Sequence, residues 1–154
     1  AADQGHAEAQ YNLGVAYANG EGVVQDHVQA VKWFKLAADQ GYAGAQYNLG
    51  IAYAVGVGVA KDEAEAVKWF RLAADQGHAE AQYNLGVAYA DGVEVTKDEA
   101  EAGKWFRLAA DQGIAEAQYN LGVAYTDGLG VVKDEAEAGK WFRLAADQGI
   151  VGDK

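Results

Sequence analysis

Four amino acids are missing altogether: the 154 residues contain no cysteine, methionine, proline or serine. Without cysteine the chain has neither a disulfide nor a thiolate metal site, and nothing reports on its redox compartment. Nucleophilic catalysis needs an activated Ser, Cys, Thr or Lys beside a base. The only threonines are Thr96 in a loop and Thr126 at a helix end, and neither recurs at the equivalent place elsewhere in the chain. The chain therefore reads as a non-enzyme. Basic residues are scarce, 12 against 23 acidic, for a net charge of −11 and a pI near 4.5. Nucleic acid and anionic membrane are poor partners for such a chain. No apolar stretch approaches the ~20 residues of a membrane span. The sequence opens on Ala1, with no initiator Met and no basic leader before an apolar run, so it reads as an excised, soluble piece whose localisation is not legible.

What is present is a period. Trp33, Trp69, Trp105 and Trp141 recur every 36 residues, as do Gly5, Gly41, Gly77, Gly113 and Gly149. The copy from Gly77 to Gln112 and the copy from Gly113 to Gln148 match at 31 of 36 positions. Self-similarity at this period marks one supersecondary unit repeated, each copy burying its apolar face on its neighbours. The expected division is a single repeat domain over 1–154, with repeats at 5–40, 41–76, 77–112 and 113–148 and a tail at 149–154.

Within the second copy, Ala45, Leu49, Ala52 and Tyr53 fall at helical spacing and define helix A. Gly56 follows as a C-terminal cap with φ > 0, then a short loop through Val57, Gly58 and Val59. The loop reads Glu21-Gly22-Val23, Val93-Glu94-Val95 and Leu129-Gly130-Val131 in the other copies, and its recurring valine is expected to tuck against the helix pair. Asp62, with Glu65 three residues on, predicts a capping box in which Asp62 accepts from the N3 amide and Glu65 reaches back. The pattern recurs as Asp26/Gln29, Asp98/Glu101 and Asp134/Glu137. Helix B runs through Ala66, Phe70, Ala73 and Ala74 to Gln76, with Gly77 as its cap. Gly14, Gly50, Gly86 and Gly122 lie inside helix A, where glycine costs roughly 1 kcal/mol relative to alanine, and close helix approach is the expected reason. Gly103 and Gly139 replace Val31 and Val67 in helix B without an evident reason, so that helix is expected to be weaker in copies three and four. Fold class follows: all-α, an αα-hairpin superhelix.

The unit Ala79-Glu-Ala-Gln-Tyr-Asn-Leu-Gly-Val-Ala-Tyr-Ala-Asp-Gly92, with Ala100-Glu-Ala-Gly-Lys-Trp-Phe-Arg-Leu-Ala-Ala-Asp-Gln-Gly113 after a loop, resembles the Sel-1-like repeat family. The resemblance recurs four times and covers nearly the whole chain. It implies a right-handed solenoid related to tetratricopeptide repeats but with a longer inter-helix loop, and an adaptor role in protein–protein interaction. One cysteine-rich bacterial branch has been linked to β-lactam chemistry; the cysteines it depends on are absent here, and the activity does not carry over.

The remaining candidates for chemistry have structural explanations. His6, His27 and His78 are not paired with other ligand types in a recognisable metal motif, and His6 and His78 share a position with Tyr42, Ile114 and Ile150. No metal and no cofactor are expected. Carboxylate pairs such as Asp62/Glu65 recur in every copy, as helix capping does and a catalytic pair does not. Gly20-Glu-Gly22 and Gly128-Leu-Gly130 follow helices rather than strands and lack the lysine of a phosphate loop. Trp33/Phe34 and their copies fit aromatic packing between helices. Lys68 is placed to pair with Glu65 at i+3, whereas Arg71 at i+6 is not.

Helix A differs from helix B in charge. From Ala7 to Asn19, and over the same span of every other copy, there is no lysine or arginine. By analogy with tetratricopeptide arrays helix A lines the concave surface, which is then neutral to acidic. The expected peptide-binding groove comprises Tyr11, Asn12, Val15, Tyr47, Asn48, Ile51, Tyr83, Asn84, Val87, Tyr119, Asn120 and Val123, with Glu8, Glu80, Glu116, Asp91 and Asp127 adding negative charge. Repeated Tyr and Asn suit an extended peptide, the amide pairing with backbone and the ring giving area at small entropic cost. The expected partner is a basic or apolar protein segment. The alternative is an engineered or excised array with no cognate ligand, associating head to tail through uncapped ends.

Overall fold

The structure, a computed structural model, describes residues 2–149, with side chains from residue 6 onward. Ile150 and the rest of the expected tail lie outside the described residues. Among the described residues there are eight α-helices and no strand: α1 (Ala2–Asn19), α2 (His27–Asp39), α3 (Ala43–Val55), α4 (Glu63–Asp75), α5 (Ala79–Asp91), α6 (Glu99–Asp111), α7 (Ala115–Asp127) and α8 (Glu135–Asp147). Odd-numbered helices are helix A of each repeat and even-numbered ones helix B. The chain divides into two compact units, Ala1–His78 and Ala79–Lys154, each with two repeats. Within each unit every helix packs on the next in sequence.

Helix B earns its place by one apolar stripe. Ala66, Trp69, Phe70, Ala73 and Ala74 lie at i, i+3, i+4, i+7 and i+8 of α4 and all are buried, while Lys68 and Leu72 between them are exposed and Arg71 is half-buried. Helix A buries smaller side chains, with Ala45, Gln46, Leu49, Gly50 and Ala52 buried in α3. The small residues set how closely the two helices approach. A Cβ on Gly50 would lie 2.7 Å from the Phe70 ring and 3.3 Å from the Ala66 carbonyl oxygen. The equivalent rings of Phe34, Phe106 and Phe142 stand over Gly14, Gly86 and Gly122, which confirms close approach as the reason for a mid-helix glycine. No atom lies within 4 Å of a Cβ built on Gly103 or Gly139, so there the glycine is not forced by packing.

The turns follow from hydrogen bonding. Helix A ends at Gly56, left-handed with φ 77°, and the loop returns so that the Asp62 amide donates to the Tyr53 carbonyl at 2.9 Å. The loop valines Val23, Val59, Val95 and Val131 are all half-buried, as expected. Asp26, Asp62, Asp98 and Asp134 each accept from the amide three residues on, at 3.0 to 3.2 Å. The other half of the expected capping box does not form. The single N–H of each Asp is already taken by the helix A tyrosine carbonyl, so nothing is left for Glu65 or its equivalents to accept. Glu65 instead accepts from the Trp69 indole at 3.1 Å and pairs with Lys68 at 3.5 Å. The indole nitrogens of Trp105 and Trp141 are buried without a partner.

Helix B closes in a Schellman motif: the His78 amide donates to the Ala73 carbonyl and the Gly77 amide to the Ala74 carbonyl, with Gly77 at φ 94°. A glutamine ladder then ties successive hairpins. Gln46, 4% exposed in α3, donates to the Ala38 carbonyl at the end of α2 and accepts from Gln76 at 2.8 Å. Gln76 also donates to the Gly41 carbonyl. In the second unit Gln118 repeats both bonds, to the Ala110 carbonyl and from Gln148.

Candidate functional site

Each unit contains a hollow built by helix A of a repeat, the first half of its helix B, and helix A of the following repeat. The first hollow, of about 510 Å³, lies among α1, α2 and α3; the second, of about 470 Å³, lies among α5, α6 and α7. They are the same site displaced by 72 residues: Tyr11, Val15, Phe34, Tyr47 and Asn48 in the first correspond to Tyr83, Val87, Phe106, Tyr119 and Asn120 in the second. Neither is lined by any lysine or arginine.

Of the expected groove residues, Tyr11, Val15, Tyr47, Asn48 and Ile51 line the first hollow and Tyr83, Val87, Tyr119, Asn120 and Val123 the second. Asn12 and Asn84 line neither; Asn12 is exposed and Asn84 half-buried. An asparagine faces a hollow when it belongs to the helix A that closes it, whereas the tyrosine and valine of both flanking helices reach it. The spacing of one repeat unit does not contain that distinction.

The tyrosines are wall and floor at once. Tyr11 sits 5.9 Å from Phe34 and 5.1 Å from Tyr42, Tyr47 is 6.0 Å from Phe70 and stacks on His78 at 4.8 Å, and Tyr83 and Tyr119 keep the same relation to Phe106 and Phe142. His78 therefore acts as a packing ring at the start of helix A, interchangeable with Tyr42 and with Ile114, which packs on the core of the second unit. Burial raises the Tyr83 phenol above its ordinary pKa of 10.0, with Glu116 and then Asp91 adding to the effect and a hydrogen bond from Asn120 opposing it. Thr126 donates to the Gly122 carbonyl one turn back. Among the described residues no group of three His, Cys, Asp or Glu side chains is arranged to hold a metal, and no helix is long and apolar enough to cross a membrane.

The glutamines were not singled out by composition or motif. Their signal is that Gln10, Gln46, Gln82 and Gln118, and thirty residues on Gln40, Gln76, Gln112 and Gln148, occupy the same two positions in every copy. A polar residue buried at the same place in three of the four repeats, as Gln46, Gln82 and Gln118 are, has to find a partner each time.

Helix hairpins of one design, repeated in sequence and leaving a concavity between successive first helices, define an αα-hairpin repeat solenoid. The Sel1 repeat model matches residues 7–42, 43–78, 79–114 and 115–150, and the chain belongs to the Sel1 repeat family. Among solved structures it is similar to c5321, a protective antigen of uropathogenic Escherichia coli with an SLR fold, at 48% identity and a TM-score of 0.89 over 96% of this chain and 32% of that one. It is also similar to a Sel1 repeat protein of Oxalobacter formigenes, at 39% identity and a TM-score of 0.87 over 94% of this chain and 59% of that one. Cysteine-rich protein B of Helicobacter pylori shares the fold at 21% identity, a TM-score of 0.63 and 82% and 90% coverage. The chain thus spans about a third of the first of these proteins and under two thirds of the second. No protein of curated function matches it. Sel1 repeat proteins generally act in protein–protein interaction, as non-catalytic scaffolds.

Proposed function

We propose that the chain binds segments of other proteins in the hollows between successive first helices, taking apolar or basic side chains there. The observation that carries this reading is the recurrence of the hollow: one site of similar volume, walled by the same Tyr, Phe, Val and Asn and without a cation, appears in both units. An aromatic and aliphatic wall supplies contact area, and a few amides fix the orientation of a bound backbone. Isothermal titration against a library of basic and apolar peptides tests it, with Asn48→Ala plus Asn120→Ala as the variant, since these two asparagines line the hollows. Micromolar binding that weakens in the folded double variant is the expected result. Undiminished binding removes the hollows as the site.

End-to-end association between copies is a second reading, favoured by uneven burial at the terminal repeats. Leu13 and Trp33 are half-buried where Leu49, Leu85, Trp69 and Trp105 are buried, and Ala146 is exposed where Ala38, Ala74 and Ala110 are buried. Sedimentation at increasing concentration separates the readings; a monomer at millimolar concentration rejects this one.

A further inference from the structure

The two hollows have the same shape and different charge. At four positions around them the first unit carries Asn19, His27, Gly44 and Val55, and the second carries Asp91, Glu99, Glu116 and Asp127. Asn19 and His27 line the first hollow, and Asp91 and Glu99 line the second at the equivalent places. Every one of the four exchanges adds a carboxylate to the second unit, whereas the volumes differ by less than a tenth (about 510 and 470 Å³). Size therefore does not distinguish the sites, and charge does.

We propose that the second hollow is an anchor for a cationic side chain, the arginine or lysine of a bound peptide, while the first accepts an uncharged one; this rests on the peptide-binding reading above. The aliphatic stem of such a side chain would run along Tyr83, Phe106 and Tyr119, and its head would reach Asp91 and Glu99. The phenol of Tyr83 registers the negative potential, since Glu116 and Asp91 both oppose its ionisation. One cation competes: Lys97 lies 3.9 Å from Glu99, in a position held by Gln25 in the first unit. That pair is loose, with Lys97 exposed (64%) and Glu99 half-buried (34%), and a guanidinium entering the hollow displaces the lysine at little cost. Asp91 has no ion pair among the described contacts, so its charge is free to act on a ligand.

The test uses Ac-Leu-Ala-Xaa-Ala-Leu-NH2 peptides with arginine, norleucine or glutamate at Xaa, titrated into the full chain and followed by amide NMR shifts. For the arginine peptide the expected shifts fall on Asp91, Glu99 and Gly103. Affinity should drop about tenfold with norleucine and further with glutamate, as for loss of one charge-assisted hydrogen bond. Asp91→Asn with Glu99→His installs the residues found in the first unit, which that fold already accommodates, and should abolish the arginine preference. Asn19→Asp with His27→Glu should create a second arginine site, with shifts at Val31. Equal affinity for all three peptides, or an arginine preference unchanged in the Asp91→Asn/Glu99→His protein, overturns the anchor and leaves peptide binding standing. No binding of any peptide overturns both.

Discussion

One substitution, glycine to alanine, is expected to change stability in opposite directions at two positions of the second unit. Alanine is better than glycine by roughly 1 kcal/mol inside a helix, and that gain applies at both sites. At Gly103 a Cβ meets nothing within 4 Å, so the gain is realised in full. The melting temperature should rise by about 2–4 °C for a chain of this size. At Gly86 the Cβ would lie 2.8 Å from Cδ1 and Cε1 of Phe106 and 3.3 Å from the Ala102 carbonyl oxygen. Phe106 is only 6% exposed and its ring is 5.8 Å from Tyr83, so it cannot swing aside without disturbing the wall of the hollow. Overpacking of this kind costs about 1–3 kcal/mol, which cancels or outweighs the helix gain. The two variants should therefore differ by about 1–3 kcal/mol. Guanidinium unfolding followed by far-UV circular dichroism measures the difference, provided the slope against denaturant stays constant. If Gly86→Ala stabilises as much as Gly103→Ala does, the aromatic ring is not the reason for the glycine.

Three further outcomes follow from the structure. Asp98→Ala should lose about 1 kcal/mol of stability while Glu101→Ala, which gives up only an exposed pair with Lys104, changes it by less than about 0.5 kcal/mol; equal losses would restore the full capping box. Glu94 is the one described non-glycine residue with positive φ, 59°, where the other copies have glycine. Glu94→Gly should stabilise the protein by up to about 1 kcal/mol in thermal unfolding, since relief of the left-handed strain exceeds the added freedom of the unfolded chain, and a loss would refute the strain. The Tyr83 phenol should titrate above the ordinary tyrosine value, followed by the NMR shift of its ring Cζ, and Glu116→Gln should bring it down. Because the folded pKa is the higher one, the associated stability is complete below pH 10.0 and is lost as pH rises through the folded value; an unmoved titration in Glu116→Gln would remove that carboxylate as a cause.

Much of this was legible from spacing. The helix pair, the Asp caps, the Gly77 turn and the reason for Gly50 all depend on neighbours within one repeat, and one repeat is what the period displays. What escaped depends on backbone bonds made across the loop or on the next repeat. The Glu65 side chain was misassigned because sequence does not reveal that the Asp62 amide is already bound by Tyr53. Asn12 and Asn84 line neither hollow because a hollow needs two first helices and one second helix, a combination that no single repeat contains. The absence of lysine and arginine from helix A carried through to both hollows, and the acidic bias of the second was present in Asp91 and Glu99 but unreadable until their equivalents Asn19 and His27 were placed on the wall of the first.

The glutamine ladder has a consequence for how such arrays change over generations. Its rungs join residues 30 apart, and the bond from Gln76 to the Gly41 carbonyl spans 35. Gain or loss of a whole unit leaves every remaining rung intact, whereas a partial insertion breaks the register at once. Copies three and four, alike at 31 of 36 positions, are the kind of tandem sequence between which unequal recombination occurs. Since a hollow is shared by adjacent repeats, each such exchange places a new pair of repeats side by side and composes a new recognition surface from old parts, with no point mutation required.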